Sequence, residues 1–344
     1  MYSCGGIIDE KNIVGIDLFK LIAAILIVVI HCIGNFFGEI GNAFKINICS
    51  IAVPFFFITS GYFYGKGLNK NKDSKNKYFI KYEKNLLKMY IVWSFIGIPF
   101  MVKAYLKIYG RNYSYIFLLM IRNIFFTGTF GIYWYILAMI GGSILIYYFS
   151  SKNKLKLMYL LSFIFFIFGV LYAGFQSISE YNIIFSYLFK LTWVIFACER
   201  NFLMVGWFYM SIGYCLATHE IKIKLSWSIV LFILFTGLKF GESYLNSTDI
   251  LNGNTISIVQ ALQAVAYFLI AINLKLNCMQ GISKTMRELS STIYFTHFLF
   301  IDIINPTQVG NTVVTFVQVM LLCTAFYFVI KKINNKKLNI LINA

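Results

Sequence analysis

Long apolar runs, separated by short polar ones, repeat along the whole chain. They measure roughly 18 to 22 residues, the length a helix needs to cross a hydrocarbon core of about 30 Å at about 1.5 Å per residue. Ten spans are predicted, at about 13–34, 46–65, 86–102, 132–149, 157–174, 202–218, 225–240, 255–273, 290–305 and 311–330. In lipid a helix satisfies its own backbone, so the runs are read as helices. Two stretches fit less cleanly. Residues 112–130 are apolar but broken by Arg122 and Asn123, which predicts a re-entrant or interfacial amphipathic piece lining a cavity, and residues 178–198 share that ambiguity. The fold class expected is all-α membrane protein with about ten transmembrane helices. One integral membrane domain covers 1–344, because no Gly/Ser linker or fixed-period repeat divides it and its largest polar piece, 67–88, is too short to fold alone.

The polar segments between the spans predict an orientation. An even number of spans puts both termini on one side. Lys66 to Lys88 carries eight lysines, Lys152 to Lys156 three, Lys222 and Lys224 two, Lys275 to Arg287 three cations, and the tail from Lys331 four lysines. With Lys11, these segments are cytoplasmic by the positive-inside rule, and so are both termini. The opposite segments hold Glu39, Glu180, Glu242 and Asp249, with Lys103, Lys107, Arg111 and Arg122 as dissenters.

Composition narrows the function classes. The chain is 59% hydrophobic, 19% aromatic and only 12% charged, against about 25% charged in soluble domains. A net charge of +17 would suggest nucleic acid in a soluble protein; here the lysines cluster between apolar spans, so the partner is the lipid bilayer with its anionic headgroups, and no nucleic acid is expected. Cys4, Cys32, Cys49, Cys198, Cys215, Cys278 and Cys323 are scattered without a CxxC pair and read as packing residues. The first apolar run lacks a small-residue cleavage site and reads as a retained span; Cys4 has no apolar stretch before it, against a lipoprotein anchor.

Candidate chemistry lies inside the spans. Asp17, Lys20 and His31 are ionisable groups within the first span, where they are costly and suggest function. Eleven residues at about 100° each return Lys20 and His31 to nearly one face, with Asp17 about one turn before Lys20. One reading makes Asp17 and Lys20 a neutralising pair near the membrane boundary and leaves His31 in the opposite interface. The other makes His31 a general base or acid. His297, in Ser290-Ser291-Thr292-Ile293-Tyr294-Phe295-Thr296-His297, is either a second catalytic or ligand-binding group or a histidine bonded to a neighbouring helix. His219 falls in a basic loop and reads as solvated. Tyr133-Trp134-Tyr135 is either an interfacial anchor or a ligand platform, and Arg200-Asn201 is either solvated flanking charge or a grip for phosphate or carboxylate. GxSxG, P-loop, GxGxxG and HExxH motifs are absent, and three histidines leave few options for zinc, so a metal-independent reaction or transport is expected.

These residues resemble the integral membrane acyltransferase family 3. Ile16-Asp17-Leu18-Phe19-Lys20, followed by ten residues and His31, is similar to its first-span motif, an arginine, ten residues and then a histidine, with an aspartate three before the arginine. Val53-Pro54-Phe55-Phe56-Phe57-Ile58-Thr59-Ser60-Gly61-Tyr62 resembles its second-span signature, and Ser291 to His297 its late Ser…Tyr-x-x-His pattern. Tyr133-Trp134-Tyr135 and Arg200-Asn201 fall where that family places such groups. The resemblance implies an enzyme of a bacterial-type plasma membrane that moves an acyl group, often acetyl, from cytoplasmic acyl-coenzyme A to a hydroxyl of an envelope glycan or lipid-linked sugar. His31 is then the general base, and Lys20 and Asp17 are the other implied catalytic residues. His297, Tyr294, Ser291, Trp134, Tyr133, Arg200 and Asn201 are the implied substrate-binding groups.

The motif arginine is Lys20 here, which keeps the charge and loses the bidentate fork. The arginines the family places before the third span are Lys81, Lys84 and Lys88, with Glu83 among them, and these suit coenzyme A phosphates through charge. The membrane part of membrane-bound serine racemases resembles the same family, is associated with amino-acid uptake, and is followed by a soluble pyridoxal-phosphate domain. Under that reading the chain continues past Ala344 into a barrel with a cofactor lysine.

Overall fold

The computed structural model describes residues 13–32, 38–174, 178–219, 223–247, 256–305, 312–335 and 338–342; Cys4, Lys11, Lys222, Asp249, Lys336 and Lys337 fall outside them. Its helices, in chain order, are α1 (Val14–Cys32), α2 (Gly38–Asn47), α3 (Ala52–Lys70), α4 (Lys75–Tyr109), α5 (Tyr113–Arg122), α6 (Trp134–Ser151), α7 (Leu155–Gly174), α8 (Ile178–Tyr181), α9 (Ile183–Phe196), α10 (Trp207–Thr218), α11 (Leu225–Ser247), α12 (Ile258–Asn273), α13 (Ser283–Ile304) and α14 (Val313–Ile333). Among the described residues there is no strand. Local sequence sets several starts: Asn182 caps α9, Ser257 caps α12, and Thr312 with Thr315 forms a capping box on α14.

Each of the ten predicted spans falls on a helix: α1, α3, α4, α6, α7, α10, α11, α12, α13 and α14. By length and apolarity, seven helical stretches among the described residues qualify to cross a membrane, and α12 with α13 qualifies only as a pair, bent by 101°. Phe202–Thr218, a π-helical turn running into α10, is apolar but shorter. The ambiguous stretch 112–130 becomes α5 and a π-helical turn at Asn123–Thr127, and 178–198 becomes α8 and α9, which are likewise short of a crossing length. Large apolar side chains stand exposed along the spans, Phe95 at 73% and Leu321 at 65% among them, as lipid-facing surfaces require.

Helices in lipid associate through close packing, which favours small residues at crossings. The α3–α10 contact is the tightest example. A Cβ on Gly61 would sit 2.1 Å from the Met210 carbonyl oxygen, and one on Gly213 would sit 2.0 Å from that of Ile58. The two backbones touch where neither helix carries a side chain. Phe55, Tyr267 and Phe268 fill the space beside this contact, with the Phe55 and Tyr267 rings 5.1 Å apart.

Gly61→Ala and Gly213→Ala are therefore expected to force α3 and α10 apart and to destabilise the protein by about 1–3 kcal/mol or more, typical of overpacking. Gly237→Ala, where an added Cβ meets nothing within 4 Å, is expected to leave the melting temperature of the purified protein unchanged.

Candidate functional site

The site is built on the seam between α1 and α13. Asp17 is 2% exposed, in the first turn of α1, and an unpaired carboxylate there would be costly in a low-dielectric surround. It is paired by Arg287 of α13, whose Nε donates to Oδ1 at 2.9 Å and whose second guanidinium nitrogen donates to Oδ2 at 2.8 Å. Ser283 Oγ donates to Oδ2 as well, at 2.5 Å. This fork-on-fork contact is the strong, directional form of an ion pair. The Asp17–Lys20 pair of the one reading is thus replaced by Asp17–Arg287. Lys20 instead extends across the Phe63 ring of α3, its Nζ 5.5 Å from the ring centre. An ammonium over an aromatic face is a favourable placement for a charge with few other partners in apolar surroundings.

Fourteen residues beyond Asp17 on α1 lies His31, and fourteen beyond Ser283 on α13 lies His297. Two heptads on parallel helices return both chains to their shared seam about 21 Å further along. The two imidazoles meet there, their ring centres 5.4 Å apart, and Phe298 stands edge-on to His31 at 5.2 Å. His297 is fully buried, and its Nδ1 lies 2.9 Å from the Ile293 carbonyl oxygen and 2.8 Å from that of Tyr294. Carbonyls only accept, so Nδ1 carries a proton, and in the neutral form of the ring Nε2 is the acceptor. That Nε2 is buried without a hydrogen-bond partner. A basic nitrogen with no partner beside a second imidazole is suited to receiving or steering a proton.

The other predicted residues divide into those that frame this pair and those that do not reach it. Tyr294 donates its hydroxyl to the Ile132 carbonyl at 3.1 Å, and Tyr133 returns a 3.5 Å bond to Phe295, tying the turn before α6 to α13 beside the histidines. Trp134 packs against Phe57, at 5.7 Å between ring centres. Ser291 donates to the Arg287 carbonyl at 3.2 Å, a backbone bond within its own helix. Asn201 is consumed as a cap, its Oδ1 accepting from Leu203 and Met204 at 3.0 Å each. Arg200 is exposed beside Glu199 at 3.5 Å. Lys81, Lys84 and Lys88 are exposed on the side of α4 turned away from buried Leu86, Met89, Tyr90 and Trp93. His219, read as solvated, is exposed, with Nδ1 3.0 Å from Thr218 Oγ1.

Three charges within the helices, Glu288 and Lys239 buried and Arg287 partly so, escaped the sequence reading. Arg287 was counted with the basic loop, yet it lies in the second turn of α13; as one of only four arginines among thirty basic residues, with Ser283 one turn before it, it carried a signal. Glu288, next to it, accepts the Tyr327 hydroxyl at 3.0 Å and pairs with Lys331, joining α13 to α14. Lys239, 1% exposed on α11, bonds Glu242 at 2.7 Å and Ser257 at 3.0 Å, fastening α11 to the start of α12.

Residues 13–332 match the family model described as an acyltransferase domain, acyltransferase family 3, and the chain belongs to that family. It is similar to an amino-acid racemase of Enterococcus faecalis, 33% identical over 186 residues that make up 52% of this chain and 25% of that protein. A second amino-acid racemase match from Enterococcus faecalis is 24% identical over 307 residues, 85% of this chain and 41% of the relative. A serine/alanine racemase of Enterococcus gallinarum is 28% identical over 139 residues, 38% and 19% respectively. The chain thus spans less than half the length of these curated relatives. No solved structure matches it.

Breaking a buried ion pair from one side typically costs about 3–5 kcal/mol, less where one partner keeps solvent contact. Arg287 retains 37% side-chain exposure against 3% for Asp17, so Arg287→Leu is expected to lower stability more than Arg287→Lys, which keeps the charge. Melting temperatures of the two variants check the order; equal values would show that the charge contributes nothing.

Proposed function

We propose that this member of the acyltransferase domain family transfers an acyl group, acetyl in the simplest case, from acyl-coenzyme A to a hydroxyl of a cell-envelope glycan or lipid-linked sugar in a bacterial plasma membrane. The observation that carries the reading is the His31–His297 pair, with one imidazole nitrogen left as an unpartnered base inside the bundle. His31 removes the proton of the acceptor hydroxyl as its oxygen attacks the thioester carbonyl. The carbon–sulfur bond breaks, and the proton passes from the imidazolium to the departing thiolate, so the products are an ester and free coenzyme A. His297, its Nδ1 proton held by the backbone, offers Nε2 to fix the proton next to it. Lys20 and Asp17 keep the opposite end of α1 charged and anchored. The exposed row of Lys81, Lys84 and Lys88 attracts the donor's phosphates by charge rather than as a shaped cradle.

A second reading is supported by the similarity to amino-acid racemases. In it the chain is the membrane part of an amino-acid racemase, and the seam of α1 and α13 handles an amino acid rather than a thioester. The two readings differ in whether the protein engages acyl-coenzyme A.

Removal of a general base typically lowers rate by about 10²–10⁴-fold. His31→Ala is expected to reduce transfer of radiolabelled acetyl from acetyl-coenzyme A by that factor while leaving the melting temperature close to that of the unmodified protein. His297→Gln, which keeps a polar side chain but removes the basic nitrogen, is expected to lower the rate without weakening acetyl-coenzyme A binding in a filter assay. Full transfer by His31→Ala would overturn the base assignment, and a folded protein that binds no acyl-coenzyme A would favour the racemase reading.

A further inference from the structure

Away from the histidines, α7 and α10 face one another across a cavity of about 280 Å³, lined by Tyr159 and Ser162 on one side and by Phe208, Ser211, Ile212, Cys215 and Leu216 on the other. The spacing of the α10 residues places all five on one helical stripe. The wall is mainly apolar, as the side of a membrane helix should be, yet it contains two hydroxyls whose hydrogen bonds are not made. Ser211 is 1% exposed, and neither its buried Oγ nor the buried Tyr159 Oη, which lies near the Cys215 thiol and the Thr218 hydroxyl, meets a partner in good hydrogen-bond geometry. Ser162 Oγ, by contrast, is satisfied by the Tyr159 carbonyl at 3.0 Å.

An unpaired hydroxyl in an apolar surround costs on the order of 1–3 kcal/mol, and two of them facing one cavity point to a ligand that supplies acceptors. The cavity has a defined depth. Tyr159 lies one turn into α7 from exposed Lys154 and Lys156, and Ser211 lies two turns from the end of α10 at exposed His219. The hydroxyls are thus about 6–10 Å below the cationic end of the two helices. In a diacyl phospholipid the ester carbonyls, which accept and cannot donate, lie just beneath the phosphate, and the hydrocarbon chain continues below them. Leu160 and Phe163 on α7 are exposed at 56% and 46%, so this side of the helix already meets lipid. A trapped water would answer the hydroxyls but leave the wall of Phe208, Ile212 and Leu216 uncovered.

We infer that the α7–α10 crevice is a binding site for one anionic diacyl phospholipid, with Tyr159 and Ser211 donating to its ester carbonyls, Lys154 and Lys156 meeting its phosphate, and one chain lying along Phe208, Ile212 and Leu216. The site is independent of the acyl-transfer reaction. Its hydroxyls distinguish an ester from an ether, since only the ester has the acceptor.

Native mass spectrometry of the purified protein, titrated with diester phosphatidylglycerol and with the diether of equal chain length, tests the assignment. The unmodified protein is expected to bind one diester about tenfold more tightly than the diether, the ratio expected for one to two modest hydrogen bonds. The double substitution Y159F with S211A is expected to abolish that preference, and S211L, which fills the crevice, to abolish binding of both. Equal affinity of the unmodified protein for diester and diether would overturn the assignment, as would capture of palmitoyl-coenzyme A in place of phospholipid. The comparison of the two lipids needs no variant, so it stands even if a substituted protein fails to fold.

Discussion

A carboxylate placed inside a lipid-embedded bundle must find its counter-charge within the protein, because no water is at hand to solvate it. In this chain that requirement falls on Asp17, and Arg287 meets it from a helix that lies 270 residues further along the sequence. The fork of the guanidinium admits one relative rotation and one relative height of α1 and α13, and Ser283 completes the same contact. Once the two helices are fixed at that end, equal spacing carries the register along the seam, and His31 and His297 meet. The ties of Tyr133 and Tyr294 then hold the turn before α6 against the same helix, so that the histidines are closed in by Phe298 and its neighbours.

How much of this could be read from the sequence depended on whether the determining contact is local. The helical spans were legible because a run of apolar residues is itself the physical requirement for crossing a bilayer, and all ten coincide with helices. Asp17, Lys20 and His31 stood out because each violates its apolar surroundings. Their partners did not. The Asp17 carboxylate is three residues from Lys20 and far in sequence from Arg287, and helical spacing alone favours the nearer cation; planarity and two donors decide for the arginine. Asn201 was singled out beside Arg200 by its place in the family pattern; its cap on the backbone amides of a π-helical turn depends on a local geometry that the sequence did not announce. The exposed row of Lys81, Lys84 and Lys88 was legible as charge but not as direction, since only packing reveals which side of α4 meets the bundle.

The buried polar groups also distribute the bundle's cohesion. Besides the seam of α1 and α13, Glu288 binds Tyr327 and Lys331 of α14, and Lys239 binds Glu242 and Ser257 between α11 and α12. Apolar attraction between helices is weak in lipid, so such contacts and the bare-backbone crossing of Gly61 with Gly213 decide which helices are neighbours. The three polar contacts lie near helix ends, and the glycine crossing lies within the bundle.

The bend of 101° between α12 and α13 gives this arrangement a mechanical side. From the elbow, α13 runs as a lever pinned at Arg287, and His297 is carried ten residues, about 15 Å, beyond the pin. A tilt of roughly 5° at the pin swings that imidazole by a little over 1 Å, a displacement of the size that separates a productive from an unproductive alignment of reacting groups. The orientation that Arg287 imposes on α13 just after the elbow therefore also decides where the imidazole of His297 stands, about 15 Å away.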